Sequence, residues 1–255
     1  MSLLRQVLKI AAPIPRVEEF RRYLFIGPHP DDIEIGAGAT AARLCAMGKE
    51  VCFLICLDGR FGDGATPLRG DALAERRREE ALASAKKLGV TDVRFLNLSD
   101  GGFYEQRALF DSMAKVVGEW KPEMIFAPDP CVSSECHADH LNVGEAARRL
   151  ACFAPYPGIM AGHGAESAPV KAIGYYFTAR PNRFVGTEMY LEKQLDAIFS
   201  CHTSQFPEDC EDGRSIALYL KLRSVAFGLR SLKGRAEGFR VLGVTQMHCF
   251  PEAGD

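Results

Sequence analysis

The stretch Val51–Leu57, VCFLICL, is apolar at every position. A strand with one wet face alternates apolar and polar side chains, whereas a strand covered on both faces does not. An unbroken run of this length therefore points to a parallel sheet buried between two layers of helices. Tyr23–Gly27, Val93–Leu96, Glu123–Ala127 and Lys171–Phe177 read as further strands. Helical segments lie between them at Ile33–Gly48, Asp71–Leu88 (closed by Gly89), Gln106–Trp120 and Asp139–Phe153. Thr187–Cys201 and Ser215–Leu232 read as helices, and the Pro- and Gly-rich Ala154–Pro169 as a loop. This alternation predicts an α/β fold: a Rossmann-like, mainly parallel sheet with helices on both faces, in three layers. Residues 1–255 carry no internal repeat and no low-complexity tract, and are expected to form a single domain.

Composition narrows the function classes. A net charge of −2 gives no basic footprint for nucleic acid or for an anionic membrane surface. No apolar run reaches the ~20 residues of a membrane span. Met1–Arg22 has charges scattered through it and does not read as a secretory leader. The nine cysteines are odd in number and several sit in apolar runs, which suits free thiols and a cytoplasmic location.

Three polar segments follow strands: Pro28–Asp32, Asp58–Gly70 and Pro128–His140. In open α/β sheets, ligands bind beyond the carboxyl ends of the strands, so all three should meet on one C-terminal rim. Three of only six histidines fall there, His29 in PHPDD and His137 and His140 in CHADH. Taken singly, each motif has a plain reading, with Asp31 or Asp32 capping the helix near Ile33 and Asp139 capping the next. Together they suggest a metal site. Divalent zinc takes imidazole nitrogen and carboxylate oxygen, and catalytic sites use three protein ligands. His29 and Asp32 are placed to share one point, as are His137 and His140 on one face of a first helical turn. Consecutive Asp31 and Asp32 point in different directions, so one can hold the metal while the other serves as general base.

PHPDDIEIGAGA, followed downstream by HADH, resembles the zinc-dependent deacetylase family that includes the LmbE-like proteins and PIG-L, the N-acetylglucosaminyl-phosphatidylinositol deacetylase. RRREEALASAKKLGV, LSDGG, CHTSQF and GRAEGF resemble its later landmarks, so the likeness runs over most of the chain. The resemblance implies removal of an acetyl group from a small N-acetylated sugar conjugate, centred on N-acetylglucosamine. It implies His29, Asp32 and His140 as metal ligands, Asp31 as general base, and His137 as oxyanion stabiliser and acid. Asp139 would orient His137, and Arg77 and Asp100 would contact the sugar. The metal would be Zn²⁺, with Fe²⁺ or another divalent ion compatible with the same donors. Related proteins often assemble, which leaves a homo-oligomer open. Two departures stand out: Glu135-Cys136 replaces a pair resembling Tyr-Gly, and Ala138 replaces a common proline.

Two rival readings remain. Gly36-Ala-Gly38-Ala-Thr-Ala41, with Asp58 at the end of the next strand, matches a dinucleotide-binding fingerprint. In that fold, however, the first glycine makes the turn directly after the strand, and here PHPDDIEI intervenes. The glycines would instead let the helix pack closely on the sheet. The other rival is a relative that binds sugar without turning it over; Asp31 and His137 argue against it, since neither is needed merely to hold metal. His163, His202 and His248 read as loop or surface residues, and Arg180 and Arg183 as cations that could reach an anionic group.

Overall fold

The computed structural model describes residues 7–8 and 10–248. Part of the N-terminal stretch read above for a leader, and the ninth cysteine, Cys249, lie outside the described residues. A seven-stranded sheet forms the middle layer, in the order β3-β2-β1-β4-β5-β7-β6. Its strands are β1 (Arg22–Gly27), β2 (Glu50–Leu57), β3 (Asp92–Leu98), β4 (Met124–Pro128), β5 (Ala172–Tyr176), β6 (Arg183–Gly186) and β7 (Ala236–Gly243). Pairing is parallel from β3 through β5 and antiparallel at β5–β7 and β7–β6. The helices are α1 (Asp32–Ala46), α2 (Gly70–Leu88), α3 (Gln106–Trp120), α4 (Ala138–Phe153), α5 (Pro157–Gly162), α6 (Leu191–Cys201), α7 (Glu211–Ser231) and α8 (Val244–His248). Among the described residues no helix is long and apolar enough to cross a membrane.

The VCFLICL run is explained by two cores. Cys52, Leu54 and Cys56 join the cluster beneath α3 and α4, while Val51, Phe53 and Ile55 join the one beneath α1 and α2. Each buried side chain of this size contributes about 1.5–3 kcal/mol. The β1-to-β2 connection goes to one side of β1, and β4 pairs on the other. The loops after β1 and β4 therefore diverge, leaving a crevice at the carboxyl ends where a ligand can sit.

Several elements differ from the sequence reading. Residues 236–243 form a strand although Glu237 and Arg240 interrupt their apolar pattern. Asn182 pins this strand, accepting from Val241 N and donating to Val241 O. Helix α5 occupies the segment read as a loop, with Pro157 in its first turn. Helix α7 starts at Glu211 because the Cys210 sulfur accepts the Gly213 N–H. Thr187–Tyr190 form a turn ahead of α6 rather than its start, Tyr190 N donating to Thr187 O.

The glycines of the supposed cofactor motif lie inside α1, which begins at Asp32. A Cβ on Gly36 would stand 2.2 Å from the Tyr176 ring, and one on Gly38 would stand 3.1 Å from Gln194. Asp58 is paired with Arg60 at 2.6 Å. The dinucleotide reading is thereby corrected: these glycines bring helix and sheet together, and the acid is already engaged.

His202, read as a surface residue, is fully buried, with its Nε2 3.3 Å from Glu34 Oε1. Ser84 donates to the same Glu34 oxygen at 2.6 Å. Nearby Glu80 accepts from Thr203 Oγ1, Ser204 N and Ser204 Oγ. This buried lattice binds the segment after α6 to α1 and α2. Burial opposes a charged His202, but the Glu34 carboxylate outweighs it, and the pKa is raised. A raised folded pKa gives stability that is complete below the unfolded value, about 6.5, and is lost as pH rises through the folded value.

Two outcomes follow. The Tyr176 ring is held by its hydroxyl bond to Ile26 O at 2.8 Å, so it cannot easily yield to a new methyl group. Gly36→Ala should therefore destabilise by about 1–3 kcal/mol despite better helix propensity, seen as a lower Tm in thermal unfolding. His202→Gln should flatten the decline of stability above about pH 6.5, read from denaturant midpoints across a pH series; an unchanged slope would assign that decline to other groups.

Candidate functional site

The turn after β1 places two acids side by side. Asp31 has φ +123°, a conformation that costs a non-glycine residue of order 1–3 kcal/mol. It occupies the N-cap position of α1 but makes no capping hydrogen bond. Its carboxylate is buried and accepts from Arg77 at 3.2 Å. Burial raises the Asp31 pKa to about 6, with Arg77 opposing that rise. Asp32 does not cap either: its Oδ2 accepts the His29 N–H at 2.8 Å and lies 3.1 Å from His29 Nδ1.

The turn after β4 supplies the other half. His137 caps α4, its Nδ1 accepting the Asp139 N–H at 3.3 Å. Asp139, read as that cap, lies inside the first turn instead. His140 follows on the same face, and the His137 and His140 rings stack with centroids 4.7 Å apart. Across the crevice, the His29 centroid is 4.9 Å from that of His137 and 5.5 Å from that of His140. Nitrogens of His29, His137 and His140 all lie within 4.8 Å of one another, a spacing that could hold a metal ion. Asp32 Oδ1 is 3.4 Å from His140 Nε2, so a carboxylate borders the same point.

The charges around the rings agree with this. Burial disfavours a charged His29, yet hydrogen bonds to Asp139 and Asp32 raise its pKa to about 10. The same opposition at His140, with Asp32 the main attraction, raises it to about 9. Asp32 in turn is held well below the usual carboxylate range; burial resists this, and His140 and His29 overcome it. The cluster favours positive charge at its centre, which a proton or a divalent cation equally supplies. Imidazole with carboxylate is a donor set that fits such a cation.

Arg77, Asp100 and Asp139, anticipated near substrate or beside His137, are each engaged with groups of the protein. Arg77 is buried and donates to Pro30 O and Gly59 O as well as to Asp31, lying behind the acid rather than open to a sugar. Asp100 is buried and accepts the Phe61 N–H at 3.3 Å. Asp139 meets His137 through its backbone amide, while its carboxylate accepts from Gly101 N, Gly102 N and Tyr104 Oη and approaches His29 Nε2 at 3.1 Å. Asp100 and Asp139 thus shape the loop that carries Phe103, whose exposed ring lies 5.2 Å from that of Phe61. Arg183 is spent on backbone carbonyls, including Pro15 O at 3.0 Å.

Glu135 was noted only as a departure. It accepts the His137 N–H at 2.8 Å and lies 3.1 Å from His140 Nδ1, so it orients both histidines. An acid close ahead of two histidines was the available signal.

Comparison with known proteins matches residues 24–151 to the family model described as PIG-L, GlcNAc-PI de-N-acetylase. Diacetylchitobiose deacetylase of Thermococcus kodakarensis is 32% identical over 243 residues, 92% of this chain and 88% of that protein. A 1D-myo-inositol 2-acetamido-2-deoxy-alpha-D-glucopyranoside deacetylase of Kineococcus radiotolerans is 32% identical over 203 residues, 68% of this chain and 55% of the relative. The structure of N,N'-diacetylchitobiose deacetylase from Pyrococcus horikoshii superposes with a TM-score of 0.87 at 29% identity, covering 98% of this chain and 97% of that one. A hydratase, GalB of Pseudomonas putida, shares the fold at 20% identity with a TM-score of 0.71, so the fold alone does not assign a reaction. The assignment comes from sequence instead: with both histidine turns inside the matched segment and a deacetylase aligned along nearly its whole length, this chain belongs to the GlcNAc-PI de-N-acetylase (PIG-L) family.

Proposed function

We propose that the protein is a metal-dependent hydrolase that removes the acetyl group from an N-acetylated amino sugar, with N-acetylglucosamine conjugates as the substrate class. The observation that carries this reading is the convergence of His29, His137 and His140 beside Asp31 and Asp32 at the rim, in a chain aligned with sugar deacetylases.

His29, Asp32 and His140 would hold the cation, Zn²⁺ first among those the donors suit. Such an ion acidifies water and polarises a carbonyl. Asp31 takes the proton from the attacking water; its burial keeps it a stronger base than an exposed aspartate. His137, more exposed than the other two rings, stabilises the developing oxyanion and donates a proton to the leaving amine. Arg77 fixes the Asp31 carboxylate, and Glu135 fixes the two histidines. Asp139 holds the Gly101-Gly102 turn against His29. Asp100 holds the loop of Phe61, and the exposed rings of Phe61 and Phe103 offer an apolar platform for a sugar face.

A second ligand set is favoured by one observation: the three imidazoles alone lie within 4.8 Å of one another. His137→Ala separates the two. Retained metal with lost turnover supports the first set; lost metal supports the second.

The main test is acetate release from a panel of N-acetylated amino sugars, with and without chelator and added zinc. Chelator should abolish release and zinc should restore it; indifference to both would overturn the reading. Asp31→Asn should keep its metal, by elemental analysis, and lose about 10²–10⁴-fold in kcat. His140→Ala should lose the metal itself. Phe103→Ala should raise KM with little change in kcat, because a platform binds ground and transition states alike.

A further inference from the structure

Phe177, the first residue past β5, has φ +53°. A bulky side chain rarely takes this left-handed region, and such outliers persist only where their surroundings over-determine them. Lys121 and Leu232 share the conformation, but they cap the ends of helices, where it is common. Phe177 instead ends a strand beside the histidine cluster. Buried Asp129, just past β4, restrains it on both flanks. The Asp129 N–H donates to Tyr176 O at 3.0 Å, and the Asp129 carboxylate accepts the Thr178 hydroxyl at 2.6 Å. The chain is pinned before and after Phe177 and must turn between. The ring is fixed as well. It stands edge-on to the Tyr176 ring, with centroids 4.8 Å apart, and Tyr176 is itself tied to Ile26 O. The turn lays the Phe177 ring parallel to that of His140, with 6.0 Å between centroids.

Strand order decides which part of a substrate this ring meets. Along the rim the parallel strands exit in the order β3, β2, β1, β4, β5. Phe61 and Phe103 follow β2 and β3, the histidine cluster follows β1 and β4, and Phe177 follows β5. A sugar resting on the first side, with its amide at the cluster, directs the far end of its acyl group at Phe177. Amide geometry agrees, because in a trans amide the acyl chain and the sugar carbon lie at opposite ends of the C–N bond. So does polarity. His29, Asp31, Asp32, Glu135 and His137 surround the cluster with polar groups, whereas the methyl is the apolar part of an N-acetyl group and matches an aromatic ring. On the deacetylase reading, we propose that Phe177 determines specificity for the acyl group: its ring walls the site at the length of an acetyl and excludes longer chains. The wall is stiff because backbone and ring are both pinned, so it does not yield to an added methylene.

The test uses the zinc-loaded protein and the amino sugar that releases acetate fastest, prepared with N-acetyl, N-propionyl and N-butyryl groups. In the wild type, kcat/KM for carboxylate release should fall by about 10-fold or more with each added methylene. Phe177→Ala should compress the series, raising the butyryl-to-acetyl ratio by about 10-fold or more. The ratio is taken within one variant, so a loss of folded protein alone does not move it. Isothermal titration with acetate and butyrate reads the same preference without turnover, and butyrate should gain on acetate in the variant. If Phe177→Ala fails to fold, Phe177→Gly, whose backbone takes φ +53° freely, carries the same expectation. Acetate release with an unmoved ratio in the folded variant would overturn the wall and leave the deacetylase reading standing. A wild type that releases no carboxylate from any N-acylated amino sugar would overturn both.

Discussion

The Arg77 guanidinium lies buried under the rim, and the loops around it take their shape from its hydrogen bonds. It reaches Pro30 O in the turn after β1, Gly59 O in the loop after β2, and the Asp31 carboxylate. Gly59 and Gly62 carry no side chain where one would collide with it, at 2.5 Å and 2.4 Å from its Nη1. A buried cation is costly unless its donors are matched, and here a buried acid meets it. The strained backbone of Asp31 is held by this contact, because a residue at positive φ persists only when its surroundings over-determine it. Arg77 thus converts helix packing into the aim of a carboxylate, at a distance from any substrate.

The rest of the site is a balance of signs. Asp32, Asp139 and Glu135 face the rings of His29 and His140, and each approach lies between 3.1 and 3.4 Å. Glu135 and Asp139 act through backbone as well: one accepts the His137 amide, the other the amides of Gly101 and Gly102. The turns after β1, β3 and β4 are therefore tied to one another by carboxylates. Phe177 closes the far side, its ring parallel to His140 with centroids 6.0 Å apart.

Four of the five parallel strands were legible because burial on both faces leaves continuous apolar runs such as VCFLICL, whereas β3 is a half-buried edge strand with only a short apolar signal. The last two strands were not, since Glu237 and Arg240 break the run and β6 has only four residues. The candidate ligands were legible as residue types after strands. Their neighbours were harder to read. Which way Asp139 turns its carboxylate depends on where the Gly101-Gly102 turn lies, and in RRREE only the family resemblance sets Arg77 apart from its charged neighbours. His202 gave no hint of burial, because its partner Glu34 is far away in sequence and is itself a charged residue inside a helix.

Glu237 on β7 accepts from the amides of Ala39 and Thr40 in α1, and Gln194 of α6 bonds both Glu237 and the Glu34 carbonyl. The helix that begins with Asp32 is thus latched by a residue 197 positions beyond Thr40 in the sequence. A nascent protein would display PHPDD and CHADH early, yet complete the frame around α1 only when the final strand emerges. Assembly of the rim is in that sense tied to the emergence of β7, so that a chain cut short before it would carry all the histidines of the cluster without the lock that steadies them.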